Sequence, residues 1–283
     1  MVQTCRRAVV VTYSQTGQTA LIGRLIAALW ETRGLSVDSV DIRNFDVAAL
    51  SSYDLIMAGS PVFYWDVPSN VIEALSAAPR LDGICAASFV TYGGEGGNQH
   101  NTALRLLALL AGHGALPVGM ETFGAMSSYA PTWSLGNEKR VLAYRHRPDE
   151  QTYDRIRRYA DAVLTDARKG NRVRYKKEFF LTDFLRGKPS IAFSKLVTGR
   201  HAIDREVCTD CGICASECPV GAIDLEKHSV DTSRCVSCLG CVNNCPVGAI
   251  DMTYMGRKVY GFREFRKRNG IRIVPPEELR KRT

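Results

Sequence analysis

The sequence predicts an α/β protein: a doubly wound, five-stranded parallel sheet followed by a small α+β domain. Three observations carry this expectation. Apolar, β-rich runs alternate with helical patterns from the N-terminus to Lys169. Eight of the ten cysteines crowd between Cys208 and Cys245. Those eight form two runs of identical spacing, the first opening at Cys208 and the second at Cys235. Strands alternating with helices argue for parallel pairing. A repeat of this kind reads as a duplicated supersecondary unit.

The five strand segments are 8–13, 36–42, 53–59, 84–92 and 115–123. Helical patterns cover 19–33, 69–77 and 99–113, and a last amphipathic helix is expected over 150–169. The connection at 43–52 is short, so it is expected to be a single turn or loop. In open sheets of this kind, ligands sit outside the carboxyl ends of the strands. Three loops fall there.

The loop after the first strand is Tyr13-Ser14-Gln15-Thr16-Gly17-Gln18-Thr19. Its hydroxyls and the N–H groups that open the next helix make an anion cradle. There is no Gly-x4-Gly-Lys pattern, which disfavours a nucleotide triphosphatase. The absence of Gly-x-Gly-x-x-Gly disfavours a dinucleotide Rossmann domain. A plain helix N-cap would use the same residue types. The Ser/Thr-x-Thr-Gly-x-Thr pattern resembles the phosphate loop of flavodoxins, which holds the phosphate of FMN. Gln18 stands where Asn is more usual. The resemblance implies a flavodoxin-like doubly wound five-stranded parallel sheet, strand order 2-1-3-4-5.

The same resemblance assigns the next two loops to the isoalloxazine ring. After the third strand come Ser60, Pro61, Val62, Phe63, Tyr64 and Trp65. After the fourth come Thr91, Tyr92, Gly93, Gly94 and Gly97. Core packing is the competing role for the aromatics. Three consecutive aromatics in a loop cannot all face one core, so at least one is expected at a ligand.

The cysteine runs are Cys208-x2-Cys211-x2-Cys214-x3-Cys218-Pro219 and Cys235-x2-Cys238-x2-Cys241-x3-Cys245-Pro246. The heptapeptide Cys-Pro-Val-Gly-Ala-Ile-Asp occurs at 218–224 and unchanged at 245–251. Three cysteines at intervals of three suit a loop wrapped around an iron–sulfur cube. Zinc is the competing ligand, but its sites use separated pairs. A disulfide framework is weaker, since no apolar signal core opens the chain. The pattern resembles bacterial two-cluster ferredoxins across 203–254. In that family the fourth cysteine of each run ligates the other cube. The resemblance therefore implies one [4Fe–4S] cluster on Cys208, Cys211, Cys214 and Cys245, and another on Cys235, Cys238, Cys241 and Cys218. Gly212 and Gly240 are expected to allow close backbone approach. Ile213, Val220, Ile223, Val236, Leu239, Val242, Val247 and Ile250 are expected to exclude water.

Composition bounds the rest. Hydrophobic residues are 45% and charged residues 23%, which excludes a disordered or collagenous chain. No stretch approaches the ~18 to 20 apolar residues of a membrane span. The formal charge of +8 is unevenly spread: net −3 over 1–135, +9 over 136–205, −5 over 206–253 and +7 over 254–283. No nucleic-acid-binding motif accompanies the basic stretches, so no nucleic acid is expected. Contact with acidic modules or an acidic redox partner fits them better. The five histidines show no metal-ligand spacing. Cys5 and Cys85 lie outside the runs.

The expected division is 1–170 for the FMN domain with 125–147 as an inserted loop, 171–202 as a basic connector, 203–254 for the clusters, and 255–283 as a basic tail. The joined pattern resembles flavodoxin–ferredoxin fusions. That implies a cytoplasmic electron-transfer flavoprotein of anaerobic metabolism, working with a redox partner protein and linking a low-potential donor to an acceptor. The alternative is an FMN-dependent reductase of a small molecule, fed by the clusters, with 125–147 supplying the pocket. A flavin at a subunit edge would call for a homodimer.

Overall fold

The computed structural model describes residues 5–94, 98–179 and 190–272. They form two compact units. The first holds 5–94, 98–125 and 146–179, and the second holds 126–145 and 190–272.

The first unit is built on five parallel strands: β1 (Arg7–Thr12), β2 (Ser36–Asp41), β3 (Leu55–Pro61), β4 (Cys85–Tyr92) and β5 (Leu116–Gly124), in the order β2-β1-β3-β4-β5. The period-2 alternation of a strand sends successive side chains to opposite faces. In β1, Val10 joins the core under α1 (Gln18–Thr32) and α6 (Glu150–Lys169), with Leu25, Trp30, Ile156 and Val163. Val9 and Val11 join the opposite core, with Val71 of α2 (Ser69–Ser76) and Leu106 and Leu110 of α3 (Gln99–Gly112). Both faces are covered, which is why the inner strands are apolar throughout. The indole Nε1 of Trp30 donates to the Ala160 carbonyl at 3.0 Å and ties α1 to α6.

The short connection after β2 contains two 3-10 turns, Ile42–Asn44 and Val47–Ser52. Asp41 and Asp46 cap them, accepting from the N–H groups of Arg43 and Ala48. Asp149 caps α6 through the Thr152 N–H and hydroxyl. Residues 171–179 then run back over this unit, with the Val173 N–H donating to the Pro117 carbonyl and the Met120 N–H to the Tyr175 hydroxyl. This stretch, expected in the connector, therefore packs on the sheet unit.

The second unit carries α4 (Pro131–Ser134), α5 (Glu138–Leu142) and α7 (Ile191–Val197), followed by the duplicated runs. Its larger sheet has the order β10-β9-β6, from β6 (Thr198–Ile203), β9 (Ile250–Tyr254) and β10 (Arg257–Lys258). Its smaller sheet pairs β7 (Ile223–Asp224) with β8 (Ser229–Val230). The two sheets repeat each other: Ile203 faces Ile250, and their counterparts in the repeat, Val230 and Ile223, face each other too. Helices α8 (Ile213–Ser216), α9 (Gly240–Asn244) and α10 (Phe262–Arg268) complete it.

Residues 126–145 belong to this unit, although they interrupt the chain of the other. Trp133 stacks on Phe265 with ring centroids 4.6 Å apart, and its Nε1 donates to the Tyr260 carbonyl. Buried Asn243 donates to the Ser128 carbonyl and accepts from the Phe262 N–H. The first part of the expected basic tail is thus core, with Phe262 and Phe265 both buried. Likewise α7 and most of β6, expected in the connector, belong to this unit.

Candidate functional site

At the end of β1 the chain turns at Gly17 (φ +88°), which precedes α1 and gives it no side-chain cap. The left-handed backbone there favours glycine. The first N–H groups of α1 are left open, as an anion site requires. Around them, the Ser14 hydroxyl and the Gln18 side-chain nitrogen are buried without a hydrogen-bond partner. Buried donors without acceptors are costly, and phosphate oxygens would satisfy both. These residues fit the phosphate of FMN. Thr19 is placed differently: its hydroxyl pairs with that of Thr91 at 2.8 Å and joins the first loop to the third. Gln15 is buried, and Thr16 is half-buried.

The second loop is a tight hairpin. Phe63 and Asp66 exchange backbone hydrogen bonds at 2.9 Å, leaving Tyr64 (φ +48°) and Trp65 (φ +62°) at the tip. Non-glycine residues in this region cost of order 1 kcal/mol or more each, and such strain collects at ligand sites. Phe63 packs edge-on against Tyr13, which leaves Tyr64 and Trp65 as the ring-stacking candidates. The anchors of this tip lie more than thirty residues away, at the start of α3, where no pattern in the loop announces them. The Trp65 carbonyl accepts from Asn98 Nδ2 at 2.9 Å and from the Thr102 hydroxyl, while Arg105 pairs with Asp66. The Val62 N–H donates to the Thr91 carbonyl, so the loop is also tied to β4. Ser60 is buried at the end of β3, and Pro61 and Val62 follow half-buried. Tyr92, Gly93 and Gly94 are half-buried. Gly97 lies outside the described residues.

In the second unit the cysteines sort into two sets that cross the sequence runs. A cavity beneath the first run is lined by Cys208, Cys211, Cys214 and Cys245, with Ile203, Leu225 and Ile250. Burial pushes the Cys214 thiol up, and neighbouring Cys245, Cys208 and Cys211 push the same way. The other set has the mirrored membership. Burial raises Cys241, followed by Cys238, Cys235 and Cys218. Burial pushes Cys238 up to about 12, with Cys235 and Cys218 adding to it. A group of thiols that raise one another is a site suited to cations. Each set of four sulfurs fits a [4Fe–4S] cluster.

Backbone donors repeat with the runs. The Ala222 N–H donates to Cys218 Sγ and the Ala249 N–H to Cys245 Sγ, both at 3.2 Å. Asp210 and Ser237 donate in the same way to Cys208 and Cys235, at 3.5 and 3.4 Å. Asp210 and Ser237 share φ +50°. The next left-handed position is Gly212 (φ +75°) in the first run and Leu239 (φ +65°) in the second. Gly240 was expected to be the permissive residue; it instead begins α9, and Leu239 takes the strained conformation with its side chain buried.

The runs differ in exposure. Thr209, Asp210 and Cys211 are exposed, whereas Ser237, Leu239 and Gly240 are buried. Val247, expected to exclude water, is 43% exposed, and Val207 beside Cys208 is 42% exposed. Leu239, Val242 and Ile250 are buried as expected. Two histidines, which show no metal-ligand spacing in the sequence, adjoin the ligands. His201 Nε2 is 3.4 Å from Cys241 Sγ, and burial lowers its pKa. His228 Nε2 is 3.0 Å from Asp210, and those two with Cys208 place ligand atoms within 4.8 Å of one another. The step from His201 to His228 equals the step from Cys208 to Cys235, which was the signal available in the sequence. Cys5 and Cys85 are buried with raised pKa values, so neither is a reactive thiolate. Residues 126–145 line an open cleft of about 700 Å³ with Tyr254 and Met255.

Fold and site together define a protein of electron-transfer type. Residues 9–108 match the flavodoxin domain family, and residues 207–249 match the 4Fe-4S dicluster domain family. The chain is therefore a flavodoxin domain followed by a 4Fe-4S dicluster domain, the make-up of a flavodoxin–ferredoxin fusion. The first implies FMN and the second implies 4Fe-4S clusters. Among solved structures, the flavodoxin of Streptococcus pneumonia TIGR4 is similar at 15% identity and TM-score 0.45, covering 56% of this chain and 99% of its own. A short-chain flavodoxin associated with a non-canonical PDU bacterial microcompartment has 14% identity and TM-score 0.45, covering 57% and 99%. Flavodoxin from Megasphaera elsdenii has 21% identity and TM-score 0.42, covering 56% and 98%. No curated protein matches the chain. Among the described residues, no helix is long and apolar enough to cross a membrane.

Proposed function

We propose that this chain passes electrons between FMN, held by Ser14–Thr19 and the two ring loops, and two [4Fe–4S] clusters with crossed ligands. Bound FMN exchanges one or two electrons, and each cluster exchanges one. The observation that carries the reading is the sorting of eight thiols into two sets of four, in a chain whose flavodoxin domain has orphaned donors at its phosphate loop.

The chain's residues divide the work. Ser14, Gln18 and the start of α1 hold the phosphate. Asn98, Thr102 and Arg105 hold the Tyr64–Trp65 tip in its strained turn. Ala222, Ala249, Asp210 and Ser237 donate to ligand sulfurs, which favours the more negative state of each cluster. The first set is the exchange port for a redox partner, because Cys211 and its neighbours reach the surface. Exposed Glu206 and Asp210 rim that port, so a partner with a basic face suits it.

An anaerobic reductive titration of the purified holoprotein, followed by absorbance and EPR, tests this. Flavin and two clusters should all take up electrons. A protein without flavin that also refuses FMN in titration, or one with a single cluster, would overturn the reading.

A further inference from the structure

His201 meets a ligand sulfur side chain to side chain. Its Nε2 lies 3.4 Å from Cys241 Sγ. The ring is carried by β6, where His201 stands opposite Met252 of β9. Met252 is buried, as is Ile203 further along β6, so a paired strand and not a loose loop fixes its place. A ligating cysteine is a thiolate and has no proton to give. The imidazole must therefore be the donor. The other donors described for these sulfurs are backbone N–H groups, which no substitution removes cleanly.

We propose that His201 is a positioning residue that sets the reduction potential of the cluster on Cys218, Cys235, Cys238 and Cys241, through an Nε2–H···Sγ hydrogen bond to Cys241. Reduction adds one electron to the cluster, and the added charge strengthens a donor already aimed at the sulfur. The hydrogen bond thus favours the reduced form and raises the potential. No proton is transferred. His228, the mate of His201 across the repeat, is committed elsewhere, with its Nε2 on the Asp210 carboxylate. The duplicated histidine accordingly gives one cluster a donor and the other a carboxylate neighbour. The two clusters become inequivalent although their cysteine spacing is identical.

The proposal rests on the crossed-cluster reading, and iron analysis separates the two. Full-length His201→Phe and His201→Gln holoproteins are compared with the wild type by iron content and EPR-monitored redox titration. With iron content unchanged, His201→Phe should move one midpoint to more negative potential and leave the other in place. His201→Gln, which retains an N–H, should fall between Phe and wild type. Unchanged midpoints in iron-replete His201→Phe, or an equal shift of both, would overturn the proposal. Should His201→Phe lose iron, pulsed EPR of reduced wild type labelled with 15N-histidine decides. A 15N coupling at one cluster, with a proton that exchanges in D2O, is expected; no coupling at either overturns it. Wild-type protein lacking clusters would instead defeat the earlier reading.

Discussion

The sheet unit and the cluster unit stabilise their interiors by different means. In the first, Val9, Val10, Ile56, Met57 and Phe89 are closed in by four helices, and side chains alone complete the core. The second has strands of two to six residues and helices of four to seven. Its apolar core gathers around Trp133, Phe262 and Phe265, and Cys208, Cys214, Cys241 and Cys245 pack against it. Elements this short need a staple, and metal binding to such thiols is folding free energy. The comparison predicts that the sheet unit keeps its fold without flavin, whereas the second unit depends on metal at its thiols.

The largest effect should come from iron removal. Chelation under reducing conditions is expected to unfold 190–272 together with 126–145, while the sheet unit stays intact. Limited trypsin digestion followed by mass spectrometry checks this, through new cleavage after Arg266, which is half-buried in α10 beside buried Phe265. Unchanged protection of that bond would break the comparison. The converse test removes the flavin's contacts. Ser14→Ala and Gln18→Ala should each weaken FMN binding by about tenfold or more, given ~1.5–3 kcal/mol for a hydrogen bond to a charged group. Fluorescence titration reads this, and the sheet unit's thermal unfolding without FMN should barely change.

Two smaller predictions sharpen it further. Gly212 holds a left-handed backbone (φ +75°) on the lining of the first cavity, so Gly212→Ala costs at least the backbone strain. Roughly 1–2 kcal/mol is expected, read as an earlier thermal loss of cluster absorbance with flavin release unaffected. In the sheet unit, the Thr152 hydroxyl and N–H hold the Asp149 carboxyl below its usual value despite the opposing effect of burial. A carboxylate depressed on folding stabilises above its unfolded value, about 4, and loses that contribution as pH falls through the folded value. Asp149→Ala should therefore cost ~1 kcal/mol at neutral pH and less in acid, as denaturant titrations at both pH values would report.

The strands of the sheet were legible because apolar runs are local, and the family pattern supplied their order. The two cysteine runs were legible from spacing, and the family pattern supplied the crossing. What stayed hidden depends on contacts remote in sequence. Trp133 meets Phe265, and Asn243 meets Ser128 and Phe262; no local pattern near 126–145 announces those partners. Gly240 drew attention as a glycine, but the left-handed site falls at Leu239, the position equivalent to Gly212 once the runs are aligned. His201 reaches Cys241 from a neighbouring strand, which spacing within a motif does not encode. Its kinship with His228 was visible only because the two are set apart by the period of the cysteine runs.

The crossing itself is tested most directly by removing one fourth cysteine at a time. Cys218→Ala and Cys245→Ala holoproteins, prepared anaerobically, are compared by iron content and by EPR of the remaining cluster. Each should lose about half the wild-type iron. Cys218→Ala should keep the signal of the exposed cluster on Cys208, Cys211, Cys214 and Cys245, whose oxidation by an external reagent is fast. Cys245→Ala should keep the slower one. The opposite pattern, with Cys218→Ala sparing the cluster of the second run, would contradict the account.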